Sequence, residues 1–121
     1  DEETLRNMFS KYLSSELWSA KRIRNVLLPA CLDRDRVSSG MLVDGILESG
    51  ETDDQTTAGR FVSLISNQLG MAKNDYLRQV IGYDYPEYHW QKDNYHIREG
   101  YRPLVESVLE ELSSGSEDGA V

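Results

Sequence analysis

The period of the apolar side chains changes at Gly82, and that change limits the chain to helices first and a folded-back extended segment afterwards. Leu5, Met8, Phe9, Tyr12 and Leu13 recur at i, i+3, i+4, i+7 and i+8, which is the stripe of an amphipathic helix. Helical spacing returns in Leu17, Ala20, Ile23, Val26 and Leu27, then in Met41, Leu42, Ile46 and Leu47. It returns again in Ala58, Phe61, Val62, Ile65 and Leu69, and last, before the change, in Tyr76, Leu77, Val80 and Ile81. The punctuation agrees. Ser14 or Ser15, Ser38 or Ser39, Asp53 or Asp54, and Asn74 stand where side-chain oxygens cap helix N-termini. Gly50 and Gly82 suit the left-handed position that closes a helix. Pro29 lacks the amide donor and crowds the preceding turn, so it is expected to end or kink the second helix.

Beyond Gly82, "YDYPEYHWQKDNYHIRE" alternates and is rich in residues that favour a pleated surface. A β-hairpin is predicted at about 83–99, with Pro86 interrupting its first arm and "QKDN" supplying turn chemistry. Pro103 sits where the first turn of a helix tolerates it, and Leu104, Val105, Val108, Leu109 and Leu112 form the stripe behind it. The acidic, small-residue stretch 113–121 has nothing to bury and is expected to be a disordered tail. No repeat or linker divides the rest. The expectation is one domain over residues 1–112, mainly α, with one small β-hairpin and flanking amphipathic helices.

With 121 residues, 39% hydrophobic and 28% charged, the chain suits a single soluble domain with a modest core. Its longest apolar run falls well short of the roughly 18 residues of a membrane span, and no signal-peptide pattern is visible. A start on Asp1 rather than Met is what a piece of a longer protein would show. Cys31 is the only cysteine; it permits no internal disulfide, fits a reducing compartment, and makes the cytoplasm the default location. The net charge of −8 excludes a generally basic protein that grips nucleic acid by bulk electrostatics. Five of the 21 acids lie at the two ends, however, leaving 16 against 13 bases. A local basic face therefore stays open.

The order of elements, together with "SNQLGMAKNDYLRQVI", resembles the winged-helix branch of the helix-turn-helix superfamily over about residues 16–99. The resemblance implies that Leu69 and Gly70 end a helix, Met71 and Ala72 make the turn, and Asn74–Ile81 is a recognition helix with the hairpin as its wing. Leu77 and Val80 fall one residue later than the tightest form of that pattern, so a longer turn is needed. Lys73, Asn74, Arg78 and Gln79 would then face DNA, since Arg pairs with guanine, Asn and Gln with adenine, and Lys reaches phosphate. Lys92 and Arg98 on the wing would meet phosphate. Asp75 opposes this, and an ordinary solvated helix face accounts for the same residues. In a second assignment within the same fold, residues 54–69 form the third helix, residues 76–84 are partly extended as the first wing strand, and Gln55, Arg60, Ser63 and Asn67 are exposed.

Tyr83, Tyr85, Tyr88, Trp90, Tyr95 and Tyr101 cluster around the hairpin. They can pack it onto the C-terminal helix, stack on unpaired bases, or form a protein hot spot. Tyr88 and Trp90, nearest the tip, are the expected partner-binding pair. His89 and His96 do not match zinc spacing, and no metal or other cofactor is inferred. No nucleophile elbow, phosphate loop or acid–base dyad is found, so neither enzyme activity nor a small-molecule substrate is expected. The stripes of residues 5–13 and 104–112 can pack on each other or on a second copy as a homodimer. The function expected first is a DNA-contacting module; the rival is an acidic protein-interaction domain, an adaptor or assembly piece, docking through the aromatic hairpin.

Overall fold

The structure is a computed structural model that describes residues 1–85 and 92–120, with side chains to Ser114. The chain is mainly helical with one small two-stranded antiparallel hairpin. Helix α1 (Glu2–Leu13) starts on an Asp1 cap whose carboxylate accepts from the Thr4 amide at 2.7 Å. Its stripe buries Leu5, Phe9 and Leu13, whereas Met8 stays 43% exposed. The next rod holds α2 (Trp18–Arg22), a π-helical turn (Ile23–Leu27) and α3 (Leu28–Asp33). Pro29 does not end it. The Leu28 amide reaches back to the Ile23 carbonyl, and this wider i→i−5 turn displaces the carbonyls that a proline would otherwise crowd or leave unpaired.

Ser38 caps α4 (Ser39–Ser49), its hydroxyl accepting from the Met41 amide at 3.1 Å, and Gly50 closes that helix at φ 81°. Asp54 caps α5 (Gln55–Gly70), accepting from both the amide and the hydroxyl of Thr57, at 2.9 and 2.6 Å. These bonds hold the Asp54 carboxyl below its ordinary range. Gly45 lets α4 approach the π-helical turn; a Cβ there would lie 2.9 Å from Val26 Cγ1.

After α5 the expected helix Asn74–Ile81 is shorter. A 3-10 turn (Ala72–Asn74) precedes α6 (Asp75–Val80), and Ile81 already belongs to β1 (Ile81–Asp84), which pairs with β2 (Asp93–Ile97). The paired arms thus span 81–97 rather than about 83–99. Ile81 faces Ile97, Gly82 faces His96 and Asp84 faces Asp93, with an irregularity between Gly82 and Asp84. Val37 adds a third chain segment: it exchanges hydrogen bonds of 2.9 and 2.8 Å with Tyr95 on the outer side of β2. The lateral order is therefore Val37, β2, β1.

Helix α7 (Arg102–Ala120) packs on α1 and α3 through Leu104, Val105 and Val108. The two flanking stripes thus meet within the monomer, with Arg6 bound to Glu111 at 2.6 Å beside them. The backbone of α7 is helical beyond Leu112, into the stretch expected to be a tail. Elongation adds one hydrogen bond per residue without a new nucleation cost, so a helix can outrun its packed face. The core joins every element: Phe9, Leu13, Ile23, Leu27, Leu42, Ile46, Ile65, Leu69, Leu77, Ile81, Tyr95 and Val108 are fully buried, each Leu or Ile contributing about 1.5–3 kcal/mol. Among the described residues, no helix is long and apolar enough to cross a membrane.

Candidate nucleic-acid interface

Two ridges carry the residues that the sequence assignments place against DNA, and their side chains are differently employed. On the first, Asn74 is 3% exposed. Its Nδ2 donates to the Gln68 carbonyl at 2.8 Å and to Gln68 Oε1 at 3.3 Å. Arg78 Nη1 donates to the carbonyls of Leu69 and Met71 at 2.8 and 2.7 Å, and Arg98 Nε donates to the carbonyl of Arg78 at 2.7 Å. The cause is the way α5 ends. Met71 turns extended directly after Gly70, leaving last-turn carbonyls without intrahelical donors, and Asn74 and Arg78 fold back to supply them. Asn74 is therefore neither an exposed base reader nor a side-chain cap for α6, and the Arg78 guanidinium serves the backbone. Gln79 is exposed, but it shares a groove with the acidic residues Asp1, Glu2 and Glu99. Lys73 is exposed as well, so two of the four, Lys73 and Gln79, face solvent. Substituting Asn74 by alanine leaves the Gln68 carbonyl with only the 3.3 Å bond from the Met71 amide, and we expect a loss of about 0.5–1.5 kcal/mol in urea denaturation; an unchanged midpoint would contradict this role.

The second ridge is the outward face of α5. Gln55, Thr56, Arg60, Ser63 and Asn67 are exposed along it. From Gln55 to Asn74 there is no Asp or Glu, in a chain that is otherwise rich in them. Beside this face runs a shallow groove of about 290 Å³, lined by Ser39, Ser63, Ser66, Asn67, Lys92 and Tyr95 among others. The hairpin is pinned to it. Asp93 Oδ1 accepts from the Ser39 amide at 2.8 Å, and the Ser39 hydroxyl donates to the Lys92 carbonyl at 3.0 Å. The start of α4, the face of α5 and the base of the hairpin consequently share one side of the molecule. Asp93 adjoins Lys92, and its carboxylate accepts from the first amide of α4 and from that of Asn94. Lys92 is half-buried, its ammonium 5.3 Å from the Tyr83 ring and 5.9 Å from Tyr85.

The aromatic cluster divides. Tyr95 is fully buried, with its hydroxyl 3.0 Å from Ser66 Oγ, and Tyr83 packs on it at 6.3 Å between ring centroids. Tyr85 is 46% exposed. Tyr88 and Trp90, the expected docking pair, lie outside the described residues, as does His89. His96 lies across Gly82, where a Cβ would run into its ring, and among the described residues no three His, Cys, Asp or Glu side chains gather to hold a metal ion. Sequence reasoning missed Ser39 and Ser66 as groove residues and Trp18 as an exposed ring; for the face of α5 the signal was the acid-free run. Compared with known proteins, the chain matches no family model, no curated protein and no solved structure.

Proposed function

We propose that this is a non-catalytic DNA-contacting domain of winged-helix character, in which α5 enters the major groove and the hairpin is the wing. The observation that carries the reading is the outward face of α5: Gln55, Arg60, Ser63 and Asn67 on a carboxylate-free helix, with Lys92 beside it. Arg, Asn and Gln are the side chains that pair with base edges in the major groove. The ladder from Val37 through β2 to β1 supports the same reading, since it anchors the wing beside α4 and α5. The second of the two sequence assignments is thereby preferred, and the roles of Asn74 and Arg78 become structural.

The net charge of −8 sets the expected scale. With few cations on the face, binding to duplex DNA should be weak and confined to low salt, with a log–log salt slope near −0.9 per phosphate contact. Alanine at Lys92 should flatten that slope by about one contact. Alanine at Arg60 should weaken binding without unfolding the chain. Absence of binding to any duplex at low salt would overturn the reading and favour the acidic protein-interaction domain instead.

A further inference from the structure

Trp18 is 61% exposed, more than any other large hydrophobic side chain described, and Leu17 before it is 46% exposed. The indole carries cations: Lys21 Nζ is 4.5 Å and the Arg22 guanidinium 5.8 Å from its centroid. Arg22 also lies 3.7 Å from the ring of Phe61 on α5, so the indole is coupled through Arg22 to the proposed reading helix. Beside it opens a groove of about 470 Å³, lined by Trp18, Lys21, Asn25, Val26, Ser49 and Glu51 among others. The Glu51 carboxylate is spent on Arg22, at 2.7 Å. Between residues 4 and 32 the only acid is Glu16, against Arg6, Lys11, Lys21, Arg22 and Arg24. This is a basic stretch in an acidic chain.

We infer that Trp18 is a stacking platform for an unpaired nucleobase, with Lys21 meeting the adjoining phosphate and the Asn25 amide group available to the base edge. The inference rests on the DNA reading and extends it to single-stranded or frayed DNA. An exposed indole beside cationic side chains is the form that sequence-tolerant base stacking takes. Lys21 now pairs with Glu16 at 3.4 Å, and Glu16 is 97% exposed; such a screened pair holds the lysine weakly, so a phosphate can take it over. A protein hot spot would also favour Trp and Arg, but the groove is lined by two cations, Lys21 and Arg22, against one carboxylate, Glu51, which Arg22 holds, and that balance favours a polyanion.

The test uses the full chain with Trp90→Phe, which leaves Trp18 as the only indole. Its emission should be quenched saturably by a dT oligonucleotide, less so as salt rises. Trp18→Leu, in the otherwise unaltered chain, should bind that oligonucleotide about 5- to 150-fold more weakly, the range for one lost stack, while duplex affinity stays within about twofold. Lys21→Gln should flatten the single-strand salt slope by about 0.7. If duplex binds but Trp18→Leu leaves dT affinity unchanged, the platform is refuted and the α5 reading survives. If neither DNA binds at low salt, both fall. An emission shift that depends on protein concentration alone, and that vanishes in Trp18→Leu, would assign the ring to contact between copies and refute the platform.

Discussion

Replacing Glu51 by alanine is expected to destabilise the domain by about 1–3 kcal/mol, the cost of leaving a buried donor without its acceptor, because Arg22 is buried while Glu51 is partly open to water. Arg22 is 8% exposed, and its guanidinium forks onto Glu51, Nε at 2.9 and 3.1 Å from the two oxygens and Nη2 at 2.7 Å from one of them. The Phe61 ring covers one side of it. With the carboxylate gone, a cation remains in a place that water reaches poorly. Against a typical total of about 5–15 kcal/mol, that loss is readily measured. Arg22→Met combined with Glu51→Gln removes both charges while keeping similar volumes, and should recover most of the deficit. Urea denaturation of the single and double variants measures this. A single-variant loss below about 1 kcal/mol would mean that the pair behaves as a screened surface contact.

Tyr95→Ala should cost about 3–5 kcal/mol, as truncation of a buried aromatic ring does, whereas Tyr95→Phe should cost only about 0.5–1.5 kcal/mol, for the bond to Ser66. The ring is fully buried where β2 meets α5, and its backbone makes both bonds to Val37. Burial pushes the Tyr95 hydroxyl from 10.0 up to about 12, and the Cys31 thiol from 9.0 up to about 12. Both groups ionise more readily in the unfolded chain. Their contribution is therefore complete below the unfolded values and is lost as pH rises from about 9 toward 12. The melting temperature should fall across that window, less steeply in Tyr95→Phe and in Cys31→Ala. Cys31 in the native protein should resist alkylation at pH 8, because the thiolate is the reactive form.

Much of the fold was legible because burial acts locally on spacing. The stripes of α1, α4, α5 and α7, the caps at Ser38 and Asp54 and the stop at Gly50 each follow from a few neighbouring residues. What failed depends on contacts distant in sequence or on alternatives that local spacing cannot separate. Leu77, Val80 and Ile81 satisfy a helical stripe, yet Ile81 is drawn into pairing with Ile97. Pro29 was read without the π-helical turn that accommodates it. Met8 and Leu17 fit their stripes but face outward at helix edges. The site divides in the same way. Periodicity identified Gln55, Arg60, Ser63 and Asn67 as outward-facing, and they are. It marked Asn74 and Arg78 as outward-facing too, because nothing local indicates that the end of α5 needs their donors.

The proposed reading face is tested most directly by ¹⁵N–¹H correlation spectra of the chain titrated with a short duplex at low salt. Amide shifts should concentrate on the outward residues of α5, from Gln55 to Asn67, on Ser39 and on Lys92, while those of Asn74, Arg78 and Gln79 stay in place. Shifts centred on Asn74–Gln79 with α5 silent, or none at all at saturating duplex, would contradict it.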